Sequence, residues 1–271
     1  MATETDETRA VSSTPGADWL SVSLALGGVL LLYYLGPLVS LLLSVSPGTV
    51  LGRLAQPGVV DAAITSLLSA SISTVLATVF GVPLAYWLAR TEGALATALL
   101  AIVVLPLVVP PTVGGIVLLS VFGPGSAIGD AAIAVGIPLS GSLAGVVLAQ
   151  TFVASPFVVV TAKAAFEGVD ERLEHASRSL GKSRLTTAHR VTLPLAGPGI
   201  LAGVTLAFAR AIGEFGATTM VSYFPRTLPV EIWTSFRAVG LDSAYPVAIL
   251  LLVIAGGALL VLNTVASNPW R

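Results

Sequence analysis

Residues 174–194 read Glu-His-Ala-Ser-Arg-Ser-Leu-Gly-Lys-Ser-Arg-Leu-Thr-Thr-Ala-His-Arg-Val-Thr-Leu-Pro. This segment, the polar loop, is the one long polar and basic interruption between two strongly apolar parts of the chain. In a membrane protein, a segment of this kind lies in water beside the bilayer and can bind a soluble partner. The polar loop therefore predicts a membrane protein that contacts something soluble.

The composition places the rest of the chain in lipid. Hydrophobic residues make up 55% of the 271 residues and charged residues only 10%, whereas soluble domains carry about 25% charged residues. A membrane-spanning helix needs about 20 predominantly apolar residues. Six segments meet this requirement, and a span is predicted in each: Trp19 to Val45, Val60 to Ala89, Leu95 to Phe122, Leu143 to Phe166, Leu195 to Ser222 and Ala244 to Val265.

The same segments argue against two other architectures. Transmembrane strands would alternate in polarity over segments of about ten residues. Helices around a soluble core would carry a polar face at the helical period. Segments such as Leu99 to Val109 and Ile249 to Ile254 show neither pattern. The predicted fold class is therefore an all-α membrane protein with about six transmembrane helices.

The N-terminal 18 residues differ in composition from the rest of the chain. They are rich in Thr, Ser, Glu and Asp and cannot bury enough apolar surface to fold, so we expect a disordered tail over residues 1–18 and a transmembrane domain over residues 19–271. A cleavable signal peptide is not expected, because the first apolar segment is too long and no basic flank precedes it. The chain has no cysteine, and its two histidines, His175 and His189, both lie in the polar loop. A metal site built from thiolates or imidazoles is therefore not expected.

The arginine and lysine residues predict the orientation. With the N-terminus in the cytoplasm, nine of them lie on the inner side and three on the outer side. The inner set is Arg9, Arg90, Lys163, Arg172, Arg178, Lys182, Arg184, Arg190 and Arg271, and the outer set is Arg53, Arg226 and Arg237. Both termini and the loop over about residues 167–194 are therefore predicted to be cytoplasmic.

A search for catalytic motifs gives a mostly negative result. Gly181-Lys182-Ser183 looks like the end of a phosphate-binding loop, but Ala176 occupies the position of the required first glycine and no strand precedes it. Zinc-protease helices, nucleophile elbows and dinucleotide fingerprints are absent from the sequence. We therefore expect a non-catalytic chain that holds no cofactor, and if ATP drives the protein, a partner chain must bind it.

The polar loop has a helical pattern of its own. Residues 170–180 carry acidic side chains in the first turn and basic ones later, as the helix dipole favours, and Gly181 is a helix stop. A second helical piece is predicted from Ser183 to Arg190, leading to Leu193 and Pro194 at the start of the next span. By composition alone, this loop could equally be an ordinary solvated connection with a positive-inside bias.

The sequence of the loop resembles the cytoplasmic EAA loop of permeases in ATP-binding-cassette importers. In that family a Glu-Ala-Ala-like start leads to a glycine, nine further residues and Ile-x-Leu-Pro. The matching residues here are Glu174, Ala176, Gly181, Leu193 and Pro194, whereas His175 stands where the family often has Ala or Gln. The resemblance implies that the short helix of this loop is a coupling helix, which docks into a cleft of the ATPase, and that these five residues couple the two chains.

The resemblance covers most of the chain after about residue 60. Residues 82–90 are similar to the end of the family's span before the first cytoplasmic turn, and residues 105–115 to the proline-rich span of oxyanion permeases. Residues 207–218, Ala-Phe-Ala-Arg-Ala-Ile-Gly-Glu-Phe-Gly-Ala-Thr, resemble a phrase of the molybdate, tungstate and sulfate importers. Residues 223–230 are similar to the short outer loop of archaeal molybdate/tungstate permeases.

This resemblance implies a type I importer permease for a tetrahedral oxyanion, either molybdate or tungstate, with sulfate as the alternative. It implies a homodimer that works with two ATPase subunits, which bind ATP and Mg²⁺, and with an external oxyanion-binding protein. An independent secondary transporter is less consistent with the sequence, since the predicted spans carry almost no buried charge. A structural membrane protein without transport is disfavoured by the matched loop.

Five residues in the spans are candidates for the translocation path or its gate. Pro110, Pro111 and Thr112 lie where prolines interrupt the helical hydrogen bonds, and such breaks are tolerated in lipid only where protein or water satisfies the freed carbonyls. Arg210 and Glu214 are ionisable groups at membrane depth, four residues apart on one predicted helix face. They form either a structural ion pair or part of the path, and the sequence leaves both interpretations open.

Overall fold

The computed structural model describes residues 16–267, and all regular structure in that range is helical. Residues 1–15, which include most of the predicted tail, and residues 268–271 lie outside the described residues. Thirteen α-helices and one π-helix are described. They are α1 (Gly16–Leu43), α2 (Pro47–Leu54), α3 (Pro57–Ala89), α4 (Ala94–Val108), α5 (Pro111–Phe122), α6 (Ala127–Ala134), α7 (Leu143–Glu167), α8 (Glu171–Ser179), α9 (Arg184–Thr187), the π-helix (Ala188–Thr192), α10 (Leu193–Ile212), α11 (Gly216–Val221), α12 (Leu228–Val239) and α13 (Leu241–Ser267).

The chain divides into two compact units, residues 1–46 and residues 47–271. In the first unit, α1 includes the apolar stretch Trp19–Leu43 of 25 residues. At 1.5 Å per residue this stretch is about 37 Å long, enough to cross a hydrocarbon core of about 30 Å. The first predicted span is thus observed as a helix of the required length.

The core of the second unit is formed by α3, α7 and α10, which pack against one another. Small side chains line their contact, among them Ala70, Ala77, Ala154, Ala207 and Ala211. Gly199 and Gly203 bring α10 against α7 so closely that an added methyl group would lie 2.5 Å from Ala165 Cβ or 2.2 Å from Thr161 Oγ1. Membrane helices associate through such small residues because the hydrophobic effect does not drive helices together inside lipid.

The third predicted span, Leu95 to Phe122, is not one straight helix. Its two parts, α4 and α5, meet at an angle of 118°. The break itself has a local cause. Pro110 and Pro111 have no backbone N–H to donate, and Val109 before them is extended, as residues preceding proline prefer. Within residues 16–267, five helices are long and apolar enough to cross a membrane, or six if the bent pair counts as one span.

The fifth predicted span, Leu195 to Ser222, is also interrupted. Helix α10 ends at Ile212, and the short helix α11 begins at Gly216. Helices α11 and α5 pack together, and the glycines explain how. A methyl group on Gly115 would lie 2.7 Å from Met220 Cβ, and one on Gly216 would lie 3.0 Å from Pro111 Cβ. The two interrupted spans therefore meet each other at their breaks.

Candidate functional site: the polar loop and the interrupted spans

The first half of the polar loop folds as the sequence predicted. Asp170 is the N-cap of α8, and its carboxylate accepts a hydrogen bond of 2.9 Å from the backbone N–H of Arg172. The helix ends at Ser179 with Leu180 as its C-cap, and Gly181 adopts a φ of +79°, in the left-handed region that favours glycine. The predicted short helix with Gly181 as its stop is confirmed.

The second half of the loop runs without a break into the next span. The Ser183 hydroxyl caps α9 by accepting a hydrogen bond of 3.2 Å from the Thr186 N–H. The π-helix then continues directly into α10, whose first residues are Leu193 and Pro194. The predicted second helical piece and the placement of Pro194 in the first turn of the span are both confirmed. Helix α9 is thus connected to α10 by continuous helix.

Glu174 points away from the loop surface and into the protein. One carboxylate oxygen, Oε1, accepts hydrogen bonds from Arg90 Nη2 at 2.7 Å, Arg90 Nε at 3.3 Å and Thr192 Oγ1 at 3.0 Å. The other, Oε2, accepts a hydrogen bond of 3.4 Å from the Tyr86 hydroxyl. The Glu174 side chain is only 12% exposed and that of Arg90 16%. Glu174 therefore connects α8 to the ends of α3 and α10.

Arg90, the C-cap of α3, is the centre of this network, although its sequence context suggests no such role. Besides Glu174, its guanidinium donates to the backbone carbonyls of Phe166 at 3.0 Å and Val169 at 3.4 Å, which end α7. The Phe166 carbonyl also accepts a backbone hydrogen bond of 3.1 Å from the Val169 N–H, so Arg90 adds to the hydrogen bonds at this end of α7. The sequence signal was weak, a single basic residue directly after a long apolar span. We call the contacts of Arg90, Glu174 and Thr192 the anchor network.

The charge state of Glu174 follows from these contacts. Burial by itself would raise the pKa of this carboxyl, but the hydrogen bonds from Arg90 and Thr192, together with the positive charge of Arg90, lower the pKa below its usual value. Glu174 is therefore ionised at neutral pH, and its ion pair with Arg90 is permanent under physiological conditions.

The five predicted coupling residues fall into two groups. Ala176, Gly181 and Pro194 are exposed, whereas Glu174 and Leu193 are only partly exposed, and Leu193 packs against the core formed by α3, α7 and α10. The exposed surface of the loop also carries two large apolar side chains, Leu180 at 80% and Leu185 at 71% exposure. These two leucines leave apolar surface beside the basic residues of the loop.

The five candidate path residues lie around the two breaks. Glu214 lies past the end of α10 and not on it, so the predicted shared helix face for Arg210 and Glu214 is wrong; Gly213 ends the helix first. Glu214 is 1% exposed and pairs with Arg210 through Oε2, while its Oε1 accepts a hydrogen bond of 2.7 Å from the Ala217 N–H. Its carboxylate thus joins the two halves of the fifth span.

Pro110, Pro111 and Thr112 lie on the other side of the same junction. Gly216 comes only two residues after Glu214, and a methyl group on Gly216 would lie 3.2 Å from the Thr112 backbone nitrogen. The structure therefore brings the proline break of the third span close to the break of the fifth span. Residues placed in this way can line a path or hold the helices together, and mutation of the Arg210 and Glu214 pair distinguishes the two roles.

Known proteins are similar to this chain over most of its length. The family model described as "binding-protein-dependent transport system inner membrane component" matches residues 81–268. A probable molybdenum ABC transporter permease protein of Haloferax volcanii is 54% identical over 253 residues, with 93% of each chain covered. A molybdate/tungstate transport system permease protein of Pyrococcus abyssi is 38% identical over 208 residues, which cover 77% of this chain and 79% of the relative.

A solved structure shares the fold at low sequence identity. It is a bacterial alginate ABC transporter in complex with an alginate pentasaccharide-bound periplasmic protein, with a TM-score of 0.72, 14% identity and coverage of 92% of this chain and 94% of that chain. The resemblance to importer permeases inferred from the sequence is thus confirmed, and the chain belongs to the family of binding-protein-dependent transport system inner membrane components.

Proposed function

We propose that this chain is the permease subunit of an ATP-driven importer of a tetrahedral oxyanion, molybdate or tungstate. The support is the similarity to relatives that are named as molybdenum and molybdate/tungstate permeases over most of their length. The permease itself is non-catalytic, and ATP with Mg²⁺ is bound and hydrolysed by a separate ATPase.

The working assembly contains two copies of this chain, two ATPase subunits and an external oxyanion-binding protein. In this assembly each chain contributes six spans, with the bent pair α4 and α5 counted as one, and lines half of the translocation path. The need for an external binding protein is supported by the family description and by the solved alginate transporter, which was crystallised with its periplasmic protein.

The polar loop faces the cytoplasm, as do both chain termini. The support is the excess of arginine and lysine on that side, nine against three. In this orientation α8 and α9 meet the ATPase, whereas Arg226 and Arg237 lie on the side from which the oxyanion arrives.

The anchor network is the observation that carries the coupling proposal. A docked ATPase that closes on ATP would push on the exposed face of α8, and Glu174 would pass that push to Arg90 on α3 and Thr192 before α10. Arg90 also holds the end of α7 through two carbonyls. Because α3, α7 and α10 form the core of the second unit, displacement of α8 would move the core helices together.

The test is to co-express the chain with its ATPase and to measure two quantities: recovery of the ATPase with the tagged permease, and ATPase stimulation by molybdate-loaded binding protein. Leu180→Asp and Leu185→Asp should reduce both several-fold, because they place a charge on the proposed docking face. Leu54→Asp on α2, at the predicted outer side, is the matched control and should change neither.

Several results would contradict the proposal. Stimulation by sulfate in place of molybdate would move the substrate to the alternative anion. Equal loss in Leu54→Asp and Leu180→Asp would refute the cytoplasmic docking of the loop. Oxyanion uptake by the permease alone, in an ion gradient and without ATP, would indicate a secondary transporter.

A further inference from the structure

A surface concavity of about 470 Å³ lies on the side predicted to face outward. It is lined by Tyr223, Arg226, Trp233, Thr234, Arg237 and Ala238. The two guanidinium groups and the Tyr223 hydroxyl are hydrogen-bond donors that suit an anion, whereas the Thr234 hydroxyl already donates to the Glu231 carbonyl at 3.0 Å. None of the six lining residues carries a carboxylate. We call this concavity the outer arginine pocket.

Both arginines of the outer arginine pocket are held by aromatic rings. The Arg226 guanidinium carbon lies 4.8 Å from the Phe224 ring centroid and 5.7 Å from that of Tyr223. The Arg237 guanidinium carbon lies 5.7 Å from the Trp233 ring centroid. Stacking on aromatic faces restricts the rotamers of a guanidinium, so less entropy is lost when an anion binds.

Two carboxylates lie near the outer arginine pocket, and both are found beside Arg226. Glu231, 14% exposed, accepts a hydrogen bond of 3.0 Å from Arg226 Nη1, and Asp61 lines a neighbouring cavity with Arg226 and Glu231. Arg237 is exposed, and within residues 16–267 no carboxylate lies within 4.0 Å of its guanidinium nitrogens. Arg226 is thus oriented and partly neutralised, while the charge of Arg237 stays available.

The outer arginine pocket also adjoins the break in the fifth span. The Trp233 ring, which lines it, contacts the Phe215 ring at a centroid distance of 5.8 Å. Phe215 lies between Glu214 and Gly216, where α5 and α11 meet. The Trp233 ring thus contacts both Arg237 in the pocket and Phe215 at the break.

We propose that the outer arginine pocket binds the dianionic tetrahedral oxyanion on the permease itself, before it enters the path. Guanidinium groups bind oxyanions through paired N–H donors. Binding at this surface is weak, because water still reaches Arg237 and Glu231 offsets one of the two positive charges, and weak binding suits a site that must release its ion. The proposal rests on the proposed function for the identity of the anion and the orientation.

The test measures equilibrium binding of radiolabelled molybdate to the permease–ATPase complex in nanodiscs, without the binding protein. Arg237→Gln should weaken molybdate affinity about tenfold or more, as expected for loss of a charged hydrogen-bond donor. Arg237→Lys keeps the charge but not the paired donors and should give an intermediate affinity. Arg53→Gln is the matched control on the same predicted side, since the Arg53 guanidinium donates to Gln56 within its own segment, and it should bind as wild type.

A second measurement separates this site from a docking surface for the binding protein. Uptake is followed while the concentration of molybdate-loaded binding protein is raised. An anion site predicts that the Arg237→Gln complex keeps the wild-type half-saturating concentration of binding protein but a lower maximal rate. A defect that disappears at high concentration would instead assign Arg237 to protein docking and would overturn the proposal.

Two further results would also overturn it. The first is that the wild-type complex in nanodiscs binds no molybdate. The second is that the Arg237→Gln complex binds molybdate with unchanged affinity, in which case the arginines and Trp233 would be anchors at the membrane surface. In either case, the wild-type ATPase should be tested with molybdate-loaded binding protein. If the binding protein still stimulates ATP hydrolysis, the proposed function stands and only the anion site in the outer arginine pocket is refuted.

Discussion

The Arg90 guanidinium joins three chain segments, the end of α3, the end of α7 and α8, and the sequence does not reveal this contact. Its partner Glu174 is 84 residues away, and the two carbonyls that it binds belong to the end of another helix. Glu174 and Gly181 could be singled out because the loop carries a local pattern. Arg90 could not, since nothing within one helical turn of it indicates which distant group it binds.

The ion pair of Arg90 and Glu174 predicts a loss of stability when one partner is removed. Arg90→Gln leaves a nearly buried carboxylate without its counter-charge, which costs about 3 kcal/mol or more, whereas the double change Arg90→Gln with Glu174→Gln should recover much of that loss. Glu167→Gln is the control, because it breaks the pair of Glu167 with Lys163 at the surface and should cost less than about 1 kcal/mol. Thermal unfolding in detergent compares the variants.

Acid provides a second readout of the same pair. Since the pKa of Glu174 is lower in the folded protein than in the unfolded chain, the stabilisation is present above the unfolded pKa of about 4.3 and disappears as pH falls through the folded value. The gap in unfolding temperature between wild type and Glu174→Gln should therefore narrow only in strong acid. A gap that vanished already between pH 7 and pH 6 would contradict this assignment.

Substitution of Gly181 should strain the backbone without causing a steric clash. No described residue beyond its chain neighbours lies within 4 Å of the position that its Cβ would occupy, so only the left-handed φ of +79° restricts the residue. Gly181→Val should cost about 1–2 kcal/mol at this turn and shift α9 relative to α8, whereas Gly181→Asn should be tolerated because asparagine visits this region. Recovery of the ATPase with the tagged permease should fall for valine only; equal recovery would show that the loop is merely a connection.

The interrupted spans mark the limit of prediction for whole elements. The long uniform helices α3, α7 and α13 follow from apolar length, and the prolines announce a break near Pro110. The angle of 118° between α4 and α5 does not follow from sequence, because it depends on where α5 finds its packing partner. The break after Ile212 carries no proline at all, and it becomes understandable only when the buried Glu214 is seen to cap α11.

The packing of α5 on α11 depends on Gly115. A methyl group there would lie 2.7 Å from Met220 Cβ and 2.9 Å from the Ala217 carbonyl oxygen, so Gly115→Ala should destabilise the protein by about 1–3 kcal/mol. The control is Gly213→Ala, whose new methyl group would meet no described atom closer than the Ala209 carbonyl oxygen at 3.6 Å. Unfolding temperatures of the two variants should differ by several degrees, and identical values would refute the close contact.

Mutation of Arg210 and Glu214 distinguishes a structural ion pair from residues that line the path. Arg210→Ala should destabilise the protein, because it leaves the buried Glu214 carboxylate without its counter-charge, and adding Glu214→Gln should restore stability while the amide oxygen still accepts from Ala217. We expect uptake to recover with stability, since Glu214 is occupied by structural contacts. Thermal unfolding and liposome uptake decide it: a stable double mutant with uptake near zero would place Arg210 in the path.

At the scale of the whole molecule, the apolar composition was sufficient to predict an all-α membrane protein, and the importer permease class came from the resemblance of the polar loop and of residues 207–218 to known permeases. They could not predict that two spans are interrupted and meet at their breaks, because that requires contacts between residues about 100 positions apart. The interrupted spans, the anchor network and the outer arginine pocket are the features on which the proposed coupling and the proposed anion site rest.

The most direct test of the proposed function is molybdate uptake into liposomes that contain the permease, its ATPase and the loaded binding protein. We predict uptake only when ATP, Mg²⁺ and all three proteins are present, and no ATP binding by the permease alone. Molybdate uptake by the permease alone, or stoichiometric ATP binding to it, would contradict the central claim that this chain is a path moved by a separate motor.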